Sequence, residues 1–442
     1  MIELPMHRPV ITDAAGRLDR PAGLYVHVPF CETKCGYCDF YSVALKDRDT
    51  SPLVDALVQE LTARTEGNSA WIRTIFIGGG TPTILPLDQL EKLLRAVGDS
   101  IDVARVEEYT VEANPATVDD DKAALLVANG VTRVSMGAQS FFPRELATLE
   151  RIHSPEDIPP SVAILRRHGI AQVNLDLIFG IPGQTIATWS ESLRRAIELE
   201  PDHVAGYGLT FEPATRLTAL HVAGKLTPCD EGLEADMFLL TADLLAKAGY
   251  RQYEISNYAQ PGCECRHNLL YWGNEPYLGV GPSAAGCLPM PDVKNPKSAA
   301  AAQDDLRETT IDNRHSSMDH PWRRYKNVSD VAAYVRMMRS AGRAESDSEI
   351  ITREAMILEM ILMQLRLNEG LSRQAFRMRI GCDPADLFGA TATRLVEGGL
   401  LRVTDGHVAL TRSGRLAAND VMVQLAAAVD DLRVGGSFRP TQ

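Results

Sequence analysis

Short apolar runs alternate with amphipathic stretches through the first half of the chain, and this alternation predicts a repeated strand–helix unit. The apolar runs predict six strands, at residues 24–28, 73–77, 108–112, 133–136, 172–178 and 203–209. Apolar residues at three- and four-residue spacings predict helices at residues 52–63, 88–97, 118–129, 143–149, 155–167 and 186–199. The short connections predict an α/β fold with a parallel sheet buried on both faces, either open and doubly wound or a barrel.

A different pattern begins after residue 250. Helical spacing returns at residues 354–363, 373–380 and 384–396, and a β-ribbon with an Asp405-Gly406 turn precedes a last helix at 413–427. Helices followed by such a hairpin are the outline of a small, mostly helical winged-helix domain. We therefore predict an N-terminal arm at 1–20, a strand–helix domain at 21–250, a middle segment and linker at 251–345, and a winged-helix-like domain at 346–435. A polar, proline-flanked surface insertion is predicted at 289–320.

The composition narrows the class of protein. The chain has 442 residues, of which 45% are hydrophobic, and this is enough for a large core and two or three domains. The formal net charge of −13 argues against broad binding of phosphates, so nucleic acid is not an expected partner. No apolar run reaches the ~20 residues of a membrane span, and the N-terminal sequence has no signal-peptide pattern, so a cytoplasmic location is expected.

Three of the eight cysteines, Cys31, Cys35 and Cys38, form a C-x₃-C-x₂-C cluster just after the first predicted strand. In a reducing compartment, closely spaced cysteines favour a metal or catalytic role over disulfides. Zinc and iron–sulfur sites usually take four protein ligands, so three cysteines leave one position for another ligand. The alternative is a zinc or redox loop that borrows a distant ligand such as Cys263 or Cys265.

Glycine-rich and acidic positions follow or end other predicted strands. The Gly78-Gly79-Gly80 turn allows the backbone to approach a ligand closely, although a plain turn would use the same residues. Glu112 and Asp176 lie at the end of or inside apolar strands, where an unpaired carboxylate is costly; a core salt bridge is the alternative to ligand binding. Because functional groups collect at the carboxyl ends of parallel strands, these motifs are expected to face the cysteine cluster.

The cysteine motif, with the aromatic Tyr37 before its last cysteine, resembles that of the radical S-adenosylmethionine superfamily. The resemblance implies a partial (β/α)₆ barrel, which agrees with the six predicted strands. It implies a [4Fe–4S] cluster bound by Cys31, Cys35 and Cys38. It also implies that S-adenosylmethionine chelates the fourth iron and is cleaved on reduction to a 5′-deoxyadenosyl radical.

The same resemblance implies how strand-end residues meet S-adenosylmethionine. The glycine turn with Gly79, Gly80 and Thr81 would contact the methionine amino group. Glu112 would supply a hydrogen bond to the cofactor, and Asp176 would bind its ribose hydroxyls.

Four further residues complete the implied cofactor site. Gln139 would make a polar contact, and Arg151 would pair with the methionine carboxylate, which suits the two-pronged donor geometry of a guanidinium. Tyr25 would lie against the cofactor. Tyr37 would contact the adenine through its backbone.

The motifs YVHVPFC, GGGTPT, VEANP, GAQSF, NLDLIFGIPGQT and RHNLLYW are similar to those of the oxygen-independent coproporphyrinogen III oxidase branch, and more closely to those of the HemW heme-chaperone family. The dehydrogenase branch carries a fourth cysteine two residues after the third, where this chain has Phe40. In the chaperone family the H-N-x-x-Y-W motif is associated with heme binding, which implies His267 as a heme ligand beside Tyr271 and Trp272. The alternative is that His267 and Asn268 only hydrogen-bond a loop under the barrel.

The resemblance therefore implies a heme chaperone that binds a [4Fe–4S] cluster, S-adenosylmethionine and heme, and transfers heme to an apo-hemoprotein. A membrane-bound respiratory enzyme is one implied acceptor, which adds a peripheral position at the membrane as an alternative location. The second hypothesis is a coproporphyrinogen III dehydrogenase, and the third is a radical enzyme with an unrelated substrate. The mixed charges of the winged-helix tail favour packing or partner docking over DNA binding. A monomer and a homodimer are both compatible with the sequence.

Overall fold

The structure is a computed structural model that describes residues 22–290 and 321–434. The predicted N-terminal arm at 1–20 lies outside the described residues, as do residues 291–320 of the predicted insertion. A large mixed sheet with its helices forms the first part of the described chain. A smaller, mostly helical unit forms the second.

The described strands form one sheet of twelve strands, one of three and one of two. In chain order they are β1 (Ala22–Val28), β2 (Phe30–Cys31), β3 (Val43–Ala44), β4 (Ile72–Gly79), β5 (Glu108–Ala113), β6 (Arg133–Gln139), β7 (Gln172–Phe179), β8 (His203–Gly208), β9 (Arg251–Gln252), β10 (Asn257–Ala259), β11 (Tyr277–Val280), β12 (Ala285–Pro289), β13 (Trp322–Asn327), β14 (Glu345–Ile351), β15 (Leu371–Ser372), β16 (Leu401–Val403) and β17 (His407–Leu410).

Most of the predicted helices begin and end close to the predicted residues. Those of the strand–helix region are Ser51–Thr65, Leu87–Ser100, Asp120–Ala128, Pro143–Thr148, Ile158–His168, Ile186–Glu198, Arg216–Val222, Glu231–Lys247 and Arg266–Trp272. Those that follow are Val331–Ala341, Arg353–Gln364, Arg373–Ile380, Pro384–Glu397, Arg412–Leu416 and Ala418–Val434. Within the two described ranges, none has the length and apolar character to cross a lipid bilayer.

The six predicted strands are β1, β4, β5, β6, β7 and β8, and they lie side by side in parallel. Strand β11 adds a seventh parallel neighbour next to β1, from the middle segment where no strand was predicted. The full order is β14-β13-β12-β11-β1-β4-β5-β6-β7-β8-β10-β9, and among the described strands the two ends do not pair. The sheet is therefore the predicted partial barrel, open on one side.

The two faces of these parallel strands have different chemistry. Apolar side chains such as Leu24, Ile75 and Val111 are fully buried in the main hydrophobic core, where helices cover the strands. The other face carries buried polar side chains near the beginnings of the strands: Thr74, Glu108, Arg133, Asn174 and His203. Successive strand residues point to opposite faces, so this polar row lines the inside of the partial barrel.

The C-terminal unit has the predicted winged-helix outline. Three helices, Arg353–Gln364, Arg373–Ile380 and Pro384–Glu397, precede the β16–β17 hairpin, and β15 pairs with β17. Thr352 and Ser372 cap the first two helices, because each side-chain oxygen accepts a backbone N–H of the first turn. This unit has its own apolar core. The predicted domain boundaries stay predictions, since β13 and β14 continue the large sheet across the expected linker.

Candidate functional site

The three clustered cysteines lie beyond the carboxyl end of β1. Cys31 ends β2, and Cys35 and Cys38 lie in the connection between β2 and β3, which pair in parallel. Thr81 Oγ1 donates to Cys31 Sγ at 3.7 Å, and Arg151 Nη1 donates to Cys35 Sγ at 3.5 Å. Burial raises the pKa of Cys31, and it raises the pKa of Cys38 to about 11. These raised pKa values favour the protonated thiols, whereas a bound metal would favour the thiolates.

The spacing of the cysteine side chains bears on two kinds of metal centre, a single metal ion and an iron–sulfur cluster. In the described ranges, no group of three or more Cys, His, Asp or Glu side chains is gathered closely enough to hold a single metal ion. A mononuclear zinc needs ligand atoms ~2.0–2.3 Å from one ion, whereas in an iron–sulfur cluster each cysteine binds a different iron and the sulfurs are farther apart. In the part of the chain that the structure describes, the three cysteines therefore do not form a ready-made site for a single ion.

The distant cysteines, Cys263 and Cys265, lie near the amino ends of the parallel strands, opposite the cysteine loop. Cys265 Sγ donates to Glu108 at 3.4 Å, and the carbonyl oxygen of Cys263 accepts from Arg133 at 3.0 Å. Glu108 and Arg133 begin β5 and β6, whereas the cysteine loop follows the carboxyl end of the parallel strand β1. Neither residue can therefore complete the cysteine cluster, and all eight cysteines are free thiols.

The glycine turn that ends β4 lies between the cysteine loop and Glu112. Gly79 has a φ of +96°, and a Cβ at Gly80 would lie 2.5 Å from the carbonyl oxygen of Phe30. The Gly79 N–H donates to Glu112 Oε2 at 2.8 Å, and Thr81 follows directly. The backbone geometry of the turn thus requires glycine at these positions, so the presence of glycine does not by itself indicate a cofactor. The position of the turn beside the cysteine loop is what indicates one.

Glu112 and Asp176 lie inside the partial barrel on β5 and β7. Asp176 accepts hydrogen bonds from Asn174 at 2.7 Å and from Ser135 at 3.3 Å. Burial raises the pKa of Glu112 to about 7 and also raises the pKa of Asp176. Neither carboxylate forms an ion pair with the side chains that the structure describes, which removes the core salt bridge as an explanation. Desolvated carboxyl groups of this kind are candidates for ligand binding.

Arg151 is buried beside the cysteine loop. Its Nη2 donates to Asn114 Oδ1 at 2.6 Å and to the carbonyl oxygen of Gly137 at 2.8 Å, while its Nε has no hydrogen-bond partner. A cavity of about 230 Å³ adjoins it and is also lined by Cys35 and Thr81. The guanidinium is therefore held in place with one donor still available to an anion. Asn114 was not predicted as a site residue. Its position directly after β5 could have indicated it, as the position at the end of that strand indicated Glu112.

Three other predicted site residues have different surroundings. The Tyr25 hydroxyl hydrogen-bonds His27 Nδ1 at 2.8 Å inside the barrel. Tyr37 packs against a small apolar cluster that contains Ile178, and burial raises the pKa of its hydroxyl. Gln139 ends β6 with a φ of +64° and is buried. All three lie on the segments that border the cysteine loop, and their contacts with a cofactor stay predictions.

The HNLLYW segment forms the helix Arg266–Trp272, and Glu108 holds its first turn. The Glu108 carboxylate accepts the backbone N–H groups of Arg266 at 2.8 Å and His267 at 3.1 Å. A carboxylate at a helix N-terminus satisfies unpaired amides and complements the helix dipole. His267 is thereby placed inside the barrel beside β4, where Thr74 Oγ1 lies 2.9 Å from its Nδ1.

The His267 imidazole is only 1% exposed, yet one of its nitrogens is unused. Its ring stacks on Phe76 with centroids 5.3 Å apart and meets Tyr271 edge-on at 4.9 Å. Burial lowers the pKa of His267 to about 3, so the ring is neutral near neutral pH. The partner of the His267 side chain is thus Thr74 of strand β4 rather than a loop under the barrel. This contact occupies Nδ1 alone, and Nε2 has no hydrogen-bond partner.

A second, larger cavity of about 450 Å³ connects His267 with Gly79 and Glu112. This volume is typical of small-molecule sites. Phe40 lies at this cavity with 72% of its side chain exposed. Much of the wall is aromatic, from Tyr25, Phe40, Phe76, Tyr207, Tyr271 and Trp272. The candidate heme ligand thus faces the same cavity as three of the candidate cofactor residues, Tyr25, Gly79 and Glu112.

Glu254, Met363 and Arg366 also line this cavity and were missed. No motif marks them in the sequence, and Met363 and Arg366 belong to the C-terminal unit. They reach the cavity because the helix Arg353–Gln364 of that unit packs against the helix Arg266–Trp272.

The fold and the cysteine loop together define a class of protein. The Radical SAM superfamily matches residues 25–196, and the HemN C-terminal domain matches residues 351–417. The solved structure of coproporphyrinogen III oxidase (HemN) from Escherichia coli, a radical SAM enzyme, is similar with a TM-score of 0.74, covering 93% of this chain and 92% of that chain at 23% identity. The fold is therefore the radical SAM fold with a helical C-terminal region, and the superfamily implies a [4Fe–4S] cluster and S-adenosylmethionine.

Curated relatives narrow the class to one family. The heme chaperone HemW of Lactococcus lactis is 31% identical over 404 residues, which cover 91% of this chain and 97% of the relative. HemW of Bacillus subtilis is 33% identical over 403 residues, with 90% and 97% covered. HemW of Escherichia coli is 40% identical over 277 residues, with 62% and 71% covered. The chain belongs to the heme chaperone HemW family, as its motifs predicted.

Proposed function

We propose that this protein is a heme chaperone, which binds heme in the larger cavity and transfers it to an apo-hemoprotein. The observation that carries the proposal is the buried, unpartnered Nε2 of His267 on the wall of that cavity. A neutral imidazole whose other nitrogen is hydrogen-bonded to a protein group is the usual form of a metal-ligating histidine. The names of the curated relatives support heme as the cargo.

The residues beside the cysteine loop fit the two cofactors that the superfamily implies. Cys31, Cys35 and Cys38 would hold the [4Fe–4S] cluster, which supplies an electron to bound S-adenosylmethionine. Arg151, oriented by Asn114, would bind the methionine carboxylate. The other residues that would hold S-adenosylmethionine are Tyr25, Tyr37, Gly79, Gly80, Thr81, Glu112, Gln139 and Asp176.

Phe40 favours heme handling over coproporphyrinogen chemistry. It occupies the position at which the dehydrogenase branch carries a fourth cysteine, and its ring is exposed at the larger cavity. An exposed aromatic ring there offers apolar surface to a flat macrocycle. The dehydrogenase remains the second candidate, because the solved structure with the same fold carries that activity in its name.

One preparation can test both candidates. The cluster is reconstituted anaerobically, and the sample is divided between a heme titration and an assay with coproporphyrinogen III, S-adenosylmethionine and a reductant. The proposal predicts saturable heme binding, release of that heme to an apo-hemoprotein, and no decarboxylated product. Turnover of coproporphyrinogen without heme binding would instead establish the dehydrogenase.

The acceptor and the location of the protein stay predictions. A membrane-bound respiratory enzyme as acceptor, a cytoplasmic position with peripheral membrane contact, and a monomeric or homodimeric state all await tests. A pull-down with heme-loaded protein and membranes would address the acceptor and the membrane contact together. Light scattering would give the oligomeric state.

A further inference from the structure

Four buried polar atoms on the wall of the larger cavity have no hydrogen-bond partner: His267 Nε2, Trp272 Nε1, Glu254 Oε2 and Arg366 Nε. Buried polar groups in folded proteins are nearly always hydrogen-bonded, and these four atoms on one cavity wall are available to the polar groups of a bound ligand. Heme iron would account for His267. The other three atoms require a further feature of the ligand.

Arg366 lies just beyond the helix Arg353–Gln364 and is held by two neighbours. Its guanidinium carbon lies 4.9 Å from the centroid of the Trp272 ring, and its Nε lies 3.9 Å from Glu254 Oε2. The first contact is a cation–π interaction, and the second distance is too long for a hydrogen bond. The guanidinium is therefore positioned, while its Nε–H still lacks an acceptor.

Glu254 can act as a donor in this group. It is fully buried, and its Oε1 accepts the Ser256 N–H at 2.8 Å while Oε2 accepts no hydrogen bond. Burial raises the pKa of Glu254, although the charge of Arg366 opposes the shift. A protonated Oε2 would add a hydroxyl donor to the same cavity wall as the Trp272 indole N–H, which can only donate. All three groups then offer hydrogens to an acceptor.

An acceptor with negative charge fits this arrangement best, because Arg366 contributes a full positive charge and a planar fork suited to a carboxylate. Most of the remaining wall is aromatic or apolar, as at Phe76, Tyr271 and Met363. Its polar side chains are Glu112, Ser256, Asn257 and Asn268. The ligand must therefore combine a flat apolar body with an acidic edge. Heme has this chemistry, since its macrocycle carries two propionate groups along one edge.

We infer that Arg366 and Trp272, with Glu254, form a carboxylate subsite that binds a heme propionate while His267 meets the iron. This inference rests on the proposed function, which supplies the ligand. The subsite prevents rotation of the macrocycle about the bond between the iron and His267, which His267 alone cannot do. S-adenosylmethionine also carries a carboxylate, so the test includes both ligands.

The test compares heme with its dimethyl ester, in which both propionates are capped and uncharged. Wild-type protein should bind heme about tenfold more tightly than the ester, the scale expected for charge-assisted hydrogen bonds. Arg366→Gln should lose about tenfold in heme affinity and bind the ester as wild type does, so that the preference disappears. Arg394→Gln, which changes an exposed arginine of the same C-terminal unit, should retain the full preference.

Two further variants separate binding from folding. Arg366→Lys keeps the charge without the fork and should retain part of the preference. Trp272→Phe keeps the ring but removes the indole N–H, and should also lose only part of it. Equal binding of heme and ester by wild type, or an undiminished preference in Arg366→Gln, would overturn the subsite while leaving the heme chaperone intact. A loss of S-adenosylmethionine affinity rather than heme affinity would likewise overturn it, whereas no heme binding by wild type would overturn the proposed function as well.

Discussion

Thr74 Oγ1 lies 2.9 Å from His267 Nδ1 and joins β4 to the helix Arg266–Trp272 across 193 residues of sequence. The contact fixes the orientation of the imidazole and leaves Nε2 without a hydrogen-bond partner. The same strand ends at the glycine turn beside the cysteine loop. One element therefore positions both the candidate heme ligand and part of the candidate cofactor site.

Thr74→Val should weaken heme binding while preserving the fold. Valine keeps the shape of threonine but removes the hydroxyl that orients His267, and loss of such a supporting hydrogen bond typically costs about tenfold or more in metal affinity. A heme titration measures the effect. Thr65→Val is the matched control, because the Thr65 hydroxyl donates to Leu61 within the helix Ser51–Thr65 and should not affect heme. Equal affinities for all three proteins would contradict the positioning role.

Heme ligation by His267 should be insensitive to mild acid. Burial lowers the pKa of His267 to about 3, so the imidazole needs no deprotonation before it binds iron from about pH 7.5 down to pH 5.5. An exposed histidine, with a pKa of about 6.5, would become mostly protonated over that range and lose its ligand function. The heme absorbance band recorded across the range checks this. A steep loss with a midpoint near pH 6.5 would point to an exposed ligand instead.

Glu112 should make the protein without S-adenosylmethionine less stable as pH rises. Burial raises the Glu112 pKa from 4.5 to about 7, so the folded state binds this proton more tightly than the unfolded chain does. Stability is therefore lost as pH rises through that window, by up to about 3 kcal/mol from this group. Glu112→Gln should remove that part of the slope, as denaturant unfolding at several pH values would show. Parallel pH dependences for the two proteins would contradict the assignment.

Only the three clustered cysteines should be needed for the cluster. Anaerobically reconstituted wild type should contain about four iron and four sulfide per chain, and alanine at Cys31, Cys35 or Cys38 should reduce both to near zero. Cys263→Ala should keep the wild-type content, because Cys263 lies at the opposite edge of the sheet. Iron and sulfide analysis decides the matter. Retained cluster in a loop variant, or loss in Cys263→Ala, would refute the ligand set.

The strands and the cysteine loop could be predicted because their signals are local. Near-continuous apolar runs mark buried parallel strands, and the ends of those runs mark the edge that carries the site. The resemblance of the motifs to the radical SAM superfamily then supplied the fold and the family, which the comparisons confirmed.

The rest of the cavity depends on contacts between distant segments. Glu108 holds a helix that begins 158 residues later, and Thr74 meets His267 across the barrel. Arg366 reaches the cavity only because the C-terminal unit packs against it. No periodicity or spacing in the sequence encodes such contacts, so the roles of Glu108, Thr74 and Arg366 could not be predicted. Strand β11 was missed for a different reason: its sequence, Tyr-Leu-Gly-Val, contains a glycine, which weakens a strand signal, and it follows the end of the strand–helix repeat.

The central claim is that heme binds through His267, and the most direct measurement is a heme titration of reconstituted wild type and His267→Ala. His221→Ala, which changes an exposed histidine, serves as the control. The account predicts a saturable heme band in wild type and the control, and at least a tenfold loss of affinity with an altered band in His267→Ala. An identical band and an identical affinity in His267→Ala would contradict it.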